Sequence, residues 1–396
     1  MLLETASQTS LSVELVTDER QLAFLAESWN QLLLNSPFPN VFMTYEWFRA
    51  WHERFAAQEP TRERHPYVLL LRKNGVLSGI TPLVRVVSRR GRASVRHLQF
   101  AAREWDYNDL VVGDPSAEHI SAVLGFLGQQ QNEWDFVDLR DVRPLGALLP
   151  TLAPSLAPSG LRLRLLGEEE RSPFMTIGSW SDVLSRYSRS TRRSLRHSLS
   201  RLQRLAPAGL SIRLIEHPEA ETALLERMIA VEAQKRVGGQ ASIPFLGRYP
   251  EVFASLFAQL GPQGWLTIAV LELGERLLAW HLLFRCDNRL WGYLTAYDHE
   301  FAHLSPGTML IPSIIDYGFA HGFEEYDFMS GEEPYKMRWA TAIREKYRIF
   351  LGNPAWSSRL RTAAYFQRHR EDRIAIPRWQ SGQPICPRAQ TARIEE

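Results

Sequence analysis

The sequence predicts an α+β fold that uses one structural unit twice. Strand-like runs, a helical stretch and a further strand occur in the same order in both halves of the chain. Gly75 and Asp138 of the first half correspond to Gly274 and Asp327, roughly 190 to 200 residues later. The 396 residues, 45% of them hydrophobic, exceed what one hydrophobic core usually holds, so two globular domains are expected.

The second copy begins with an antiparallel meander. From Trp265 the runs LTIAVLEL, LLAWHLLFRC and RLWGYLTAYD are separated by turns at Gly274 and at Asp287-Asn288. Runs rich in β-branched and aromatic residues between such turns are typical of hairpins. Three consecutive strands are therefore predicted.

A helix and a last strand complete this copy. A loop with Ser305-Pro306-Gly307 precedes a stretch whose apolar residues recur at three-and-four spacing, which predicts a helix over residues 309–321. Because proline is tolerated mainly in a first turn, Pro312 places the expected helix start no earlier than about Thr308. Gly322 is a candidate left-handed helix end, followed by the strand EEYDFM.

The first copy repeats this order. YVLLLR, VLSGITPLVRVV and ASVRHLQFA form its meander, and a loop containing residues 104–109 leads to a helix over 117–130 and the strand WDFVDLR. Residues 150–160, rich in Pro, Ser and Gly, are the candidate linker. Helices are also predicted ahead of each copy, at 18–34 and 44–57 in the first half and at 180–205, 219–236 and 250–260 in the second.

This order of elements resembles the GNAT acyltransferase fold. In the second half, TRRSLRHSLSRL, AYDHEFAHLSPGTML and YDFMSGEEPYKMRW resemble the CelD-type acetyltransferases, a family named after cellulose-biosynthesis proteins and related to the Fem peptidoglycan aminoacyltransferases. In the first half, TYEWFRAW and DYNDLVV carry the likeness. The resemblance covers most of residues 12–355 and implies two tandem GNAT-like domains, each a mainly antiparallel twisted sheet flanked by helices.

The resemblance also implies a division of labour. Residues 12–165 would form an N-terminal domain on the acceptor side, and residues 172–360 a C-terminal domain for the acyl donor and the chemistry. Residues 361–396 would be a tail. The cleft between the halves would receive an amine.

The implied co-substrate is acetyl-CoA or another acyl-CoA. The residues implied to bind it are Ser305, Gly307 and Thr308, with Thr295 and Lys336 nearby. A helix start can hold an anion, but one glycine departs from the glycine-rich turn of ordinary GNAT enzymes. Since Fem-type relatives use aminoacyl-tRNA, the sequence leaves both acyl-CoA and aminoacyl-tRNA as possible donors.

Three residues near the last strand are candidates for catalysis. Tyr335 stands where GNAT enzymes place the tyrosine that protonates the leaving thiolate, and a phenol can do so while neutral at rest; the alternative is an aromatic that packs with Trp339. Asp327 or Glu333 could accept the proton of the amine. The alternatives are an ion pair of Asp327 with Lys336 or Arg338, and solvated acids at a helix start.

Two further groups are candidates for substrate binding. The helix over 180–205 gathers arginines on one face, among them Arg192, Arg193 and Arg196; an anionic partner would offset their repulsion, although such a face is most often solvated. Trp105, Asp106, Tyr107 and Asp109 suit a sugar ring and its hydroxyls, or else a capped turn.

Composition narrows the remaining options. The formal net charge of +2 gives no general attraction to nucleic acid, so DNA is not an expected partner. The two cysteines and the scattered histidines do not form a metal set. No signal peptide or bilayer-spanning run is evident, so a cytoplasmic protein is expected, with the inner membrane face as a further option.

The sequence thus favours an acyl-CoA-dependent N-acyltransferase of the GNAT type without a metal. By resemblance, its acceptor is an amino sugar or a precursor of an exopolysaccharide or cell-envelope component, either small or lipid-linked. One alternative is a Fem-like transferase that uses aminoacyl-tRNA. Another is a catalytically silent nucleotide-binding regulator of polysaccharide synthesis. The oligomeric state is not predicted.

Overall fold

The computed structural model describes most of the chain. The described residues are 11–58, 62–90, 93–102, 107–156, 159–177, 209–221, 223–234, 236–237, 240–241 and 245–368, with single helical positions between 185 and 204. Trp105 and Asp106 lie outside them, as do residues 369–396 of the predicted tail.

The first half alternates helices with long strands. In chain order its elements are β1 (Leu11–Val16), α1 (Glu19–Phe24), α2 (Ala26–Leu34), α3 (Tyr45–Gln58), β2 (Arg62–Lys73), β3 (Val76–Arg90), β4 (Ala93–Phe100), β5 (Val111–Val112), α4 (Ala117–Gln129), β6 (Phe136–Val142), α5 (Leu148–Leu156) and β7 (Arg162–Thr176).

The second half repeats the pattern and ends in one more strand and helix. Its elements are β8 (Leu210–Ile215), α6 (Leu224–Glu232), β9 (Arg236–Val237), β10 (Gln240–Ala241), α7 (Phe245–Arg248), α8 (Pro250–Leu260), β11 (Leu266–Leu273), β12 (Arg276–Cys286), β13 (Arg289–Tyr297), α9 (Pro306–Ala320), β14 (Glu325–Asp327), α10 (Pro334–Trp339), β15 (Ala342–Gly352) and α11 (Trp356–Arg368).

The chain forms two compact units. Unit 1 comprises the described residues of Met1–Glu170 and Glu345–Gln390, and unit 2 those of Arg171–Arg344. The domain ends expected from the sequence are 165 and 360, whereas the contacts place β15 from Glu345 onward, and α11, with unit 1. Buried ion pairs explain this grouping: Lys346 pairs with Asp141 at 2.8 Å and Arg348 with Asp138 at 2.6 Å.

Unit 1 is built on an antiparallel meander. β1, β2, β3 and β4 pair in sequence order, β6 joins β4 in parallel, and β15 lies antiparallel to β6. Helices α4 and α5 cover the core, which includes Tyr67, Ile120, Trp134, Leu149 and Ile349.

Unit 2 has the same plan. β8, β11, β12 and β13 pair antiparallel, and β14 joins β13 in parallel after the helix α9. Residues of α9 fill the core against the sheet, among them Leu310, Ile314 and Ile315. The predicted α+β fold with two meanders and two crossover helices is therefore confirmed.

The predicted turns at three glycines are present, whereas several helix predictions and the linker prediction are wrong in detail. Gly75, Gly274 and Gly322 all have positive φ angles, the conformation that glycine adopts without strain. The helix expected over 18–34 is divided at Leu25 into α1 and α2. The helix expected over 219–236 is α6 (Leu224–Glu232), with strand β9 from Arg236, and α5 (Leu148–Leu156) occupies much of the candidate linker 150–160. α9 begins at Pro306 and keeps Pro312 in its interior, because packing of its apolar face outweighs the one backbone bond that this proline cannot make.

Candidate functional site

In unit 2, the neighbouring strands β13 and β14 separate after a short paired segment, and we call them the parting strands. β13 and β14 are paired over three residues, from Arg289 opposite Glu325 to Trp291 opposite Asp327. β13 continues to Tyr297 along β12, with an extra residue, Tyr293, between the pairs Leu283 with Gly292 and Leu282 with Leu294. No described strand pairs with β13 on its β14 side beyond Trp291. The two strands therefore diverge beyond this point.

β14 turns away through an unusual backbone. Met329 has a φ of 61° and is buried, and Gly331 has a φ of 104°. A left-handed conformation is costly for methionine and must be held by its surroundings. One such tie is the Met329 N–H, which donates to Asp327 Oδ1 at 2.7 Å.

The N-terminus of α9 follows β13 and carries no acid. Ser305 precedes the helix with φ and ψ of 52°, and Pro306 occupies the first helical position, so the free amides of the first turn come from Gly307 and Thr308. The first turn contains no Asp or Glu. A helix start of this kind favours an anion through its unpaired N–H groups and its dipole.

The corresponding helix start in unit 1 differs in charge. α4 has Glu118 in its first turn, and the hydroxyl of the preceding Ser116 bonds to His119 Nδ1 at 2.7 Å. An acid at that position opposes a phosphate group. The internal comparison therefore favours unit 2 for a phosphate-bearing donor.

A buried histidine fixes the first turn of α9. His281 on β12 donates from Nε2 to the Gly307 carbonyl at 3.0 Å, because a carbonyl oxygen can only accept. Burial lowers the pKa of His281 to about 4, although the bond to Gly307 works in the opposite direction. The imidazole is thus neutral near pH 7. Beside it, the Thr295 hydroxyl donates to the Trp280 carbonyl at 2.9 Å.

A β-carbon on Gly307 would make ordinary contacts. It would lie 3.7 Å from Thr295 Oγ1 and 3.9 Å from His281 Nε2. Packing alone therefore does not require glycine at position 307. The role of Ser305, Gly307, Thr308 and Thr295 toward a donor stays a prediction.

Tyr335 lies at the start of α10 and is half-buried. Its side chain packs against the hydrophobic cluster that contains Tyr326, Phe328 and Trp339. This contact is the one expected if Tyr335 is an aromatic that packs with Trp339. Burial raises the pKa of Tyr335, and the charge of Glu333 raises it further. The phenol therefore keeps its proton throughout the neutral pH range.

Asp327 is held in a buried ion pair. It is fully buried, and its Oδ2 accepts from Arg344 at 2.7 Å; Arg344 also donates to Glu325 at 2.9 Å. The partner expected from the sequence was Lys336 or Arg338, and the observed one is Arg344. In unit 1 the corresponding Asp138 accepts two bonds from Arg348. A carboxylate held in this way is a poor general base, since the buried guanidinium beside it favours the ionised form.

Lys336 and Glu333 close the turn before α10. The Lys336 ammonium, on a side chain only 8% exposed, donates to the Ser330 carbonyl at 2.5 Å and pairs with Glu333 at 3.0 Å. Glu333 remains about half exposed, and Glu332 pairs with Arg171 at 3.5 Å. Lys336 thus ties this turn together, and the carboxylates of Glu332 and Glu333 both remain partly exposed to solvent.

Tyr326 and Gly292, which meet where β13 and β14 separate, were not among the site residues predicted from the sequence. Tyr326 on β14 places its hydroxyl 2.6 Å from where a β-carbon on Gly292 would lie, so residue 292 must be glycine for the strands to meet here. Burial raises the pKa of Tyr326, and the nearby Tyr335 raises it further. The signal that could have found this contact is Gly292 itself, a glycine inside a strand pattern.

The arginine helix, which we define by its described positions 185, 189, 192, 193, 196, 197, 200, 201 and 204, presents an exposed cationic stripe. Arg189, Arg193, Arg196 and Arg204 are exposed, and no described carboxylate forms an ion pair with them. Arg201 donates to the His303 carbonyl at 3.0 Å, two residues before the N-cap of α9. Arg192 is half-buried.

The residues predicted to hold a sugar in unit 1 are buried. Tyr107 is fully buried between Phe38 and Phe42, which contradicts stacking on a sugar ring. Asp109 accepts from the Ala147 and Leu148 N–H groups at the start of α5, which is the capped-turn alternative. Burial raises the pKa of Asp109, opposed by the charge of Arg143 at 3.3 Å.

Two absences hold for the described part of the chain. No group of three or more His, Cys, Asp or Glu side chains there is arranged to hold a metal ion. None of the described helices has the length and apolar character needed to cross a bilayer.

Comparison with known proteins agrees with this geometry. Residues 189–337 match the model of the family described as Acetyltransferase (GNAT) domain. That range runs from the arginine helix to α10, and it covers less than half of the chain. It includes the parting strands, the start of α9 and Tyr335. The sequence has no significant match among curated proteins.

Solved structures share the fold. FemX superposes with a TM-score of 0.60 and 11% sequence identity, over 90% of this chain and 99% of its own. A conserved protein of unknown function from Bacteroides thetaiotaomicron gives 0.51 and 13%, over 85% and 100%. At such identities the likeness concerns the fold alone. The fold is thus α+β with two GNAT-like units in tandem, and the narrower CelD-type resemblance stays a prediction.

Proposed function

We propose that the protein is an acyl-CoA-dependent N-acyltransferase whose donor and chemistry lie in unit 2. The observation that carries this proposal is the parting of β13 from β14 beside the acid-free start of α9. This geometry lies within the residues that match a GNAT domain. It combines two diverging strands with a helix start suited to phosphate.

The donor set at this site fits an acyl-CoA. The Gly307 and Thr308 amides would bind its phosphates, with His281 holding the turn in place through the Gly307 carbonyl. The extended chain of the acyl-CoA would lie along β13 beyond its last pair with β14. A bound acyl-CoA supplies a thioester carbonyl for attack by an amine.

Two different side chains, Tyr335 and Glu333, would carry out the two proton transfers of the reaction. As the amine forms its C–N bond and the C–S bond breaks, the departing thiolate needs a proton, which neutral Tyr335 can donate. Glu333, half-exposed at the same helix start, is the remaining candidate to accept the proton of the amine, directly or through water. Asp327 is left out because its carboxylate is committed to Arg344.

The acceptor class rests on resemblance. We propose an amino sugar or a related amine precursor of an exopolysaccharide or cell-envelope component, in keeping with the CelD-type motifs. Unit 1 would then lie on the acceptor side, although Tyr107 and Asp109 are buried and do not contribute.

Calorimetry and kinetics test the proposal. Acetyl-CoA, longer acyl-CoAs and free CoA are titrated first, and UDP-amino sugars are then offered as acceptors. Tyr335→Phe should lower kcat about 10²-fold or more with little change in acyl-CoA affinity. Equal losses in kcat and affinity would make Tyr335 a packing residue, and failure of every CoA species to bind would end the proposal.

A second candidate function keeps the fold and changes the donor to aminoacyl-tRNA. The observation that favours it is the exposed stripe Arg189, Arg193, Arg196 and Arg204, joined through Arg201 to the loop before α9. Phosphate contacts make binding steeply salt-dependent. Salt-sensitive tRNA binding that Arg193→Gln weakens, together with no CoA binding, would favour this donor.

A further inference from the structure

Helix α11 of unit 1 presents an apolar face to solvent. Trp356 is 73% exposed and Leu360, one turn later, is 61% exposed. The solvent-facing positions of this helix recur at three-and-four spacing, and they are Ala355, Trp356, Arg359, Leu360, Ala363, Ala364 and Gln367. A surface helix normally exposes polar residues on that side, so the exposure of Trp356 and Leu360 here is unusual.

The opposite face fixes the helix firmly to unit 1. Ser358 donates to the buried carboxylate of Asp135 at 2.8 Å, and Arg361 donates to it at 2.9 Å. Tyr365 packs against Phe136. Asn353 accepts from the Ala355 N–H at 2.9 Å just ahead of the first turn. α11 is therefore held in one orientation, and its apolar face is preformed.

The charge of this segment has one sign. Residues 356–370 contain four arginines and no Asp or Glu. Arg361 is engaged with Asp135, but Arg359 is exposed on the same face as Trp356 and Leu360. Tryptophan and leucine flanked by arginine are the residues that amphipathic helices place at a lipid interface.

The size of the face argues against a second copy of the chain. Trp356 and Leu360 together expose roughly 300 Å² of apolar surface, judged from the areas of such side chains. A stable protein dimer buries about 800 Å² on each partner. A bilayer needs less, because it receives individual side chains while anionic headgroups attract the arginines.

We propose that α11 is a docking surface for an anionic phospholipid membrane, with Trp356 and Leu360 entering the interface and Arg359 meeting the headgroups. The helix lies in the plane of the membrane and does not cross it; its 13 residues span about 20 Å. This proposal does not depend on acyl transfer or on which donor unit 2 uses.

Vesicle binding of the full chain tests the proposal. Flotation is measured with vesicles of phosphatidylcholine alone and with vesicles that also contain phosphatidylglycerol, at low and high salt. The protein should float with the anionic vesicles and less so at high salt. The double variant Trp356→Ser, Leu360→Ser should bind at least about tenfold more weakly, and Arg359→Gln should lose severalfold.

A matched control distinguishes binding through this face from non-specific adsorption of exposed hydrophobic residues to vesicles. Phe24 on α1 is 88% exposed in the same unit, so Phe24→Ser removes an equally exposed aromatic and should leave flotation unchanged. Urea unfolding confirms that each variant folds. The proposal is overturned if the chain ignores anionic vesicles, or if the double variant still binds them. A dimer in sedimentation velocity that the double variant dissociates would identify a second copy as the occupant instead.

Discussion

One hydroxyl and one missing side chain decide how closely β13 and β14 can meet. Tyr326 presses against Gly292, where an added β-carbon would lie 2.6 Å from the hydroxyl oxygen and 3.1 Å from two ring carbons. Tyr326 is buried and backed by Phe328, whose ring centroid is 4.5 Å away. Neither partner can retreat easily, because the core of unit 2 lies behind them.

Gly292→Ala should therefore destabilise the protein by about 1–3 kcal/mol, since overpacking forces side chains off their rotamers. Urea unfolding followed by circular dichroism measures the free energy of unfolding. Gly125→Ala is the control: nothing lies within 4 Å of its added β-carbon, and alanine suits the helix α4. An equal loss in both variants would contradict this account of the contact.

The buried imidazole of His281 should make stability depend on pH. Its pKa is lowered to about 4 in the folded state, whereas an unfolded histidine titrates near its ordinary value of about 6.5. Below about pH 6.5 the unfolded chain gains a proton that the folded chain does not. The contribution of His281 to folding stability is thus fully present above about pH 6.5 and declines by about 1.4 kcal/mol per unit as pH falls toward 4.

His281→Gln should flatten that decline, because the amide can still donate to the Gly307 carbonyl but does not titrate. Unfolding free energies at about pH 7.5 and about pH 5 compare the two proteins. His299, which is exposed, provides the control: His299→Gln should keep the wild-type slope. Identical slopes for all three proteins would show that His281 does not carry the effect.

At the scale of elements, ion pairs set where strand β14 ends. Asp327 is the last paired residue of β14, and its carboxylate accepts hydrogen bonds from Arg344 and from the N–H group of Met329, which has a left-handed backbone. Arg344 also stacks over Phe174, 4.3 Å from its ring centroid. The turn that takes the chain from β14 to Tyr335 is therefore built on a buried charge.

Asp327→Asn keeps the shape and removes the charge, so Arg344 would lose one of its carboxylate partners in a buried place. The expected loss in unfolding free energy is about 3 kcal/mol. Asp287→Asn is the matched control, because the pair of Asp287 with Arg289 is half exposed and should cost below about 0.5 kcal/mol. A comparably small loss in Asp327→Asn would mean that this pair does not hold the turn.

At the scale of the whole chain, the late strand β15 completes the early unit. Three acids of the β6 region receive cations from beyond residue 344: Asp135 from Arg361, Asp138 from Arg348 and Asp141 from Lys346. All three carboxylates are buried. Unit 1 is thus discontinuous in sequence.

A chain ending at residue 344 should consequently fail to fold unit 1, since it lacks most of β15 and all of α11, and breaking a buried ion pair by removing one partner costs about 3–5 kcal/mol. Arg96 and Arg140 would remain beside Asp135 and Asp138, so the loss is expected to be largest at Asp141. Solubility and limited proteolysis measure the outcome. A chain ending at residue 368 retains all three cations and should remain folded. Cooperative unfolding of unit 1 in the shorter chain would contradict the dependence on β15.

The sequence by itself determined the repeated plan of the fold. Hairpin turns at Gly75 and Gly274, the meanders and the crossover helices follow from periods of two and three-and-four residues, which are local properties of the chain. The position of Tyr335 at the start of a helix after β14 was expected from the resemblance to the GNAT fold. The absence of Asp and Glu from the first turn of α9 can also be seen in the sequence.

Only the tertiary structure decided which polar residues face a ligand and which hold the fold. Alternation along a strand says that Asp327 and Tyr326 point to opposite sides, but not that Arg344 arrives from a later strand to neutralise the first. Tyr107 and Asp109 looked like a surface motif and proved to be buried, because their partners come from Phe38, Phe42 and the start of α5. Such contacts join residues far apart in sequence, and their free energy depends on burial and geometry that no local pattern records.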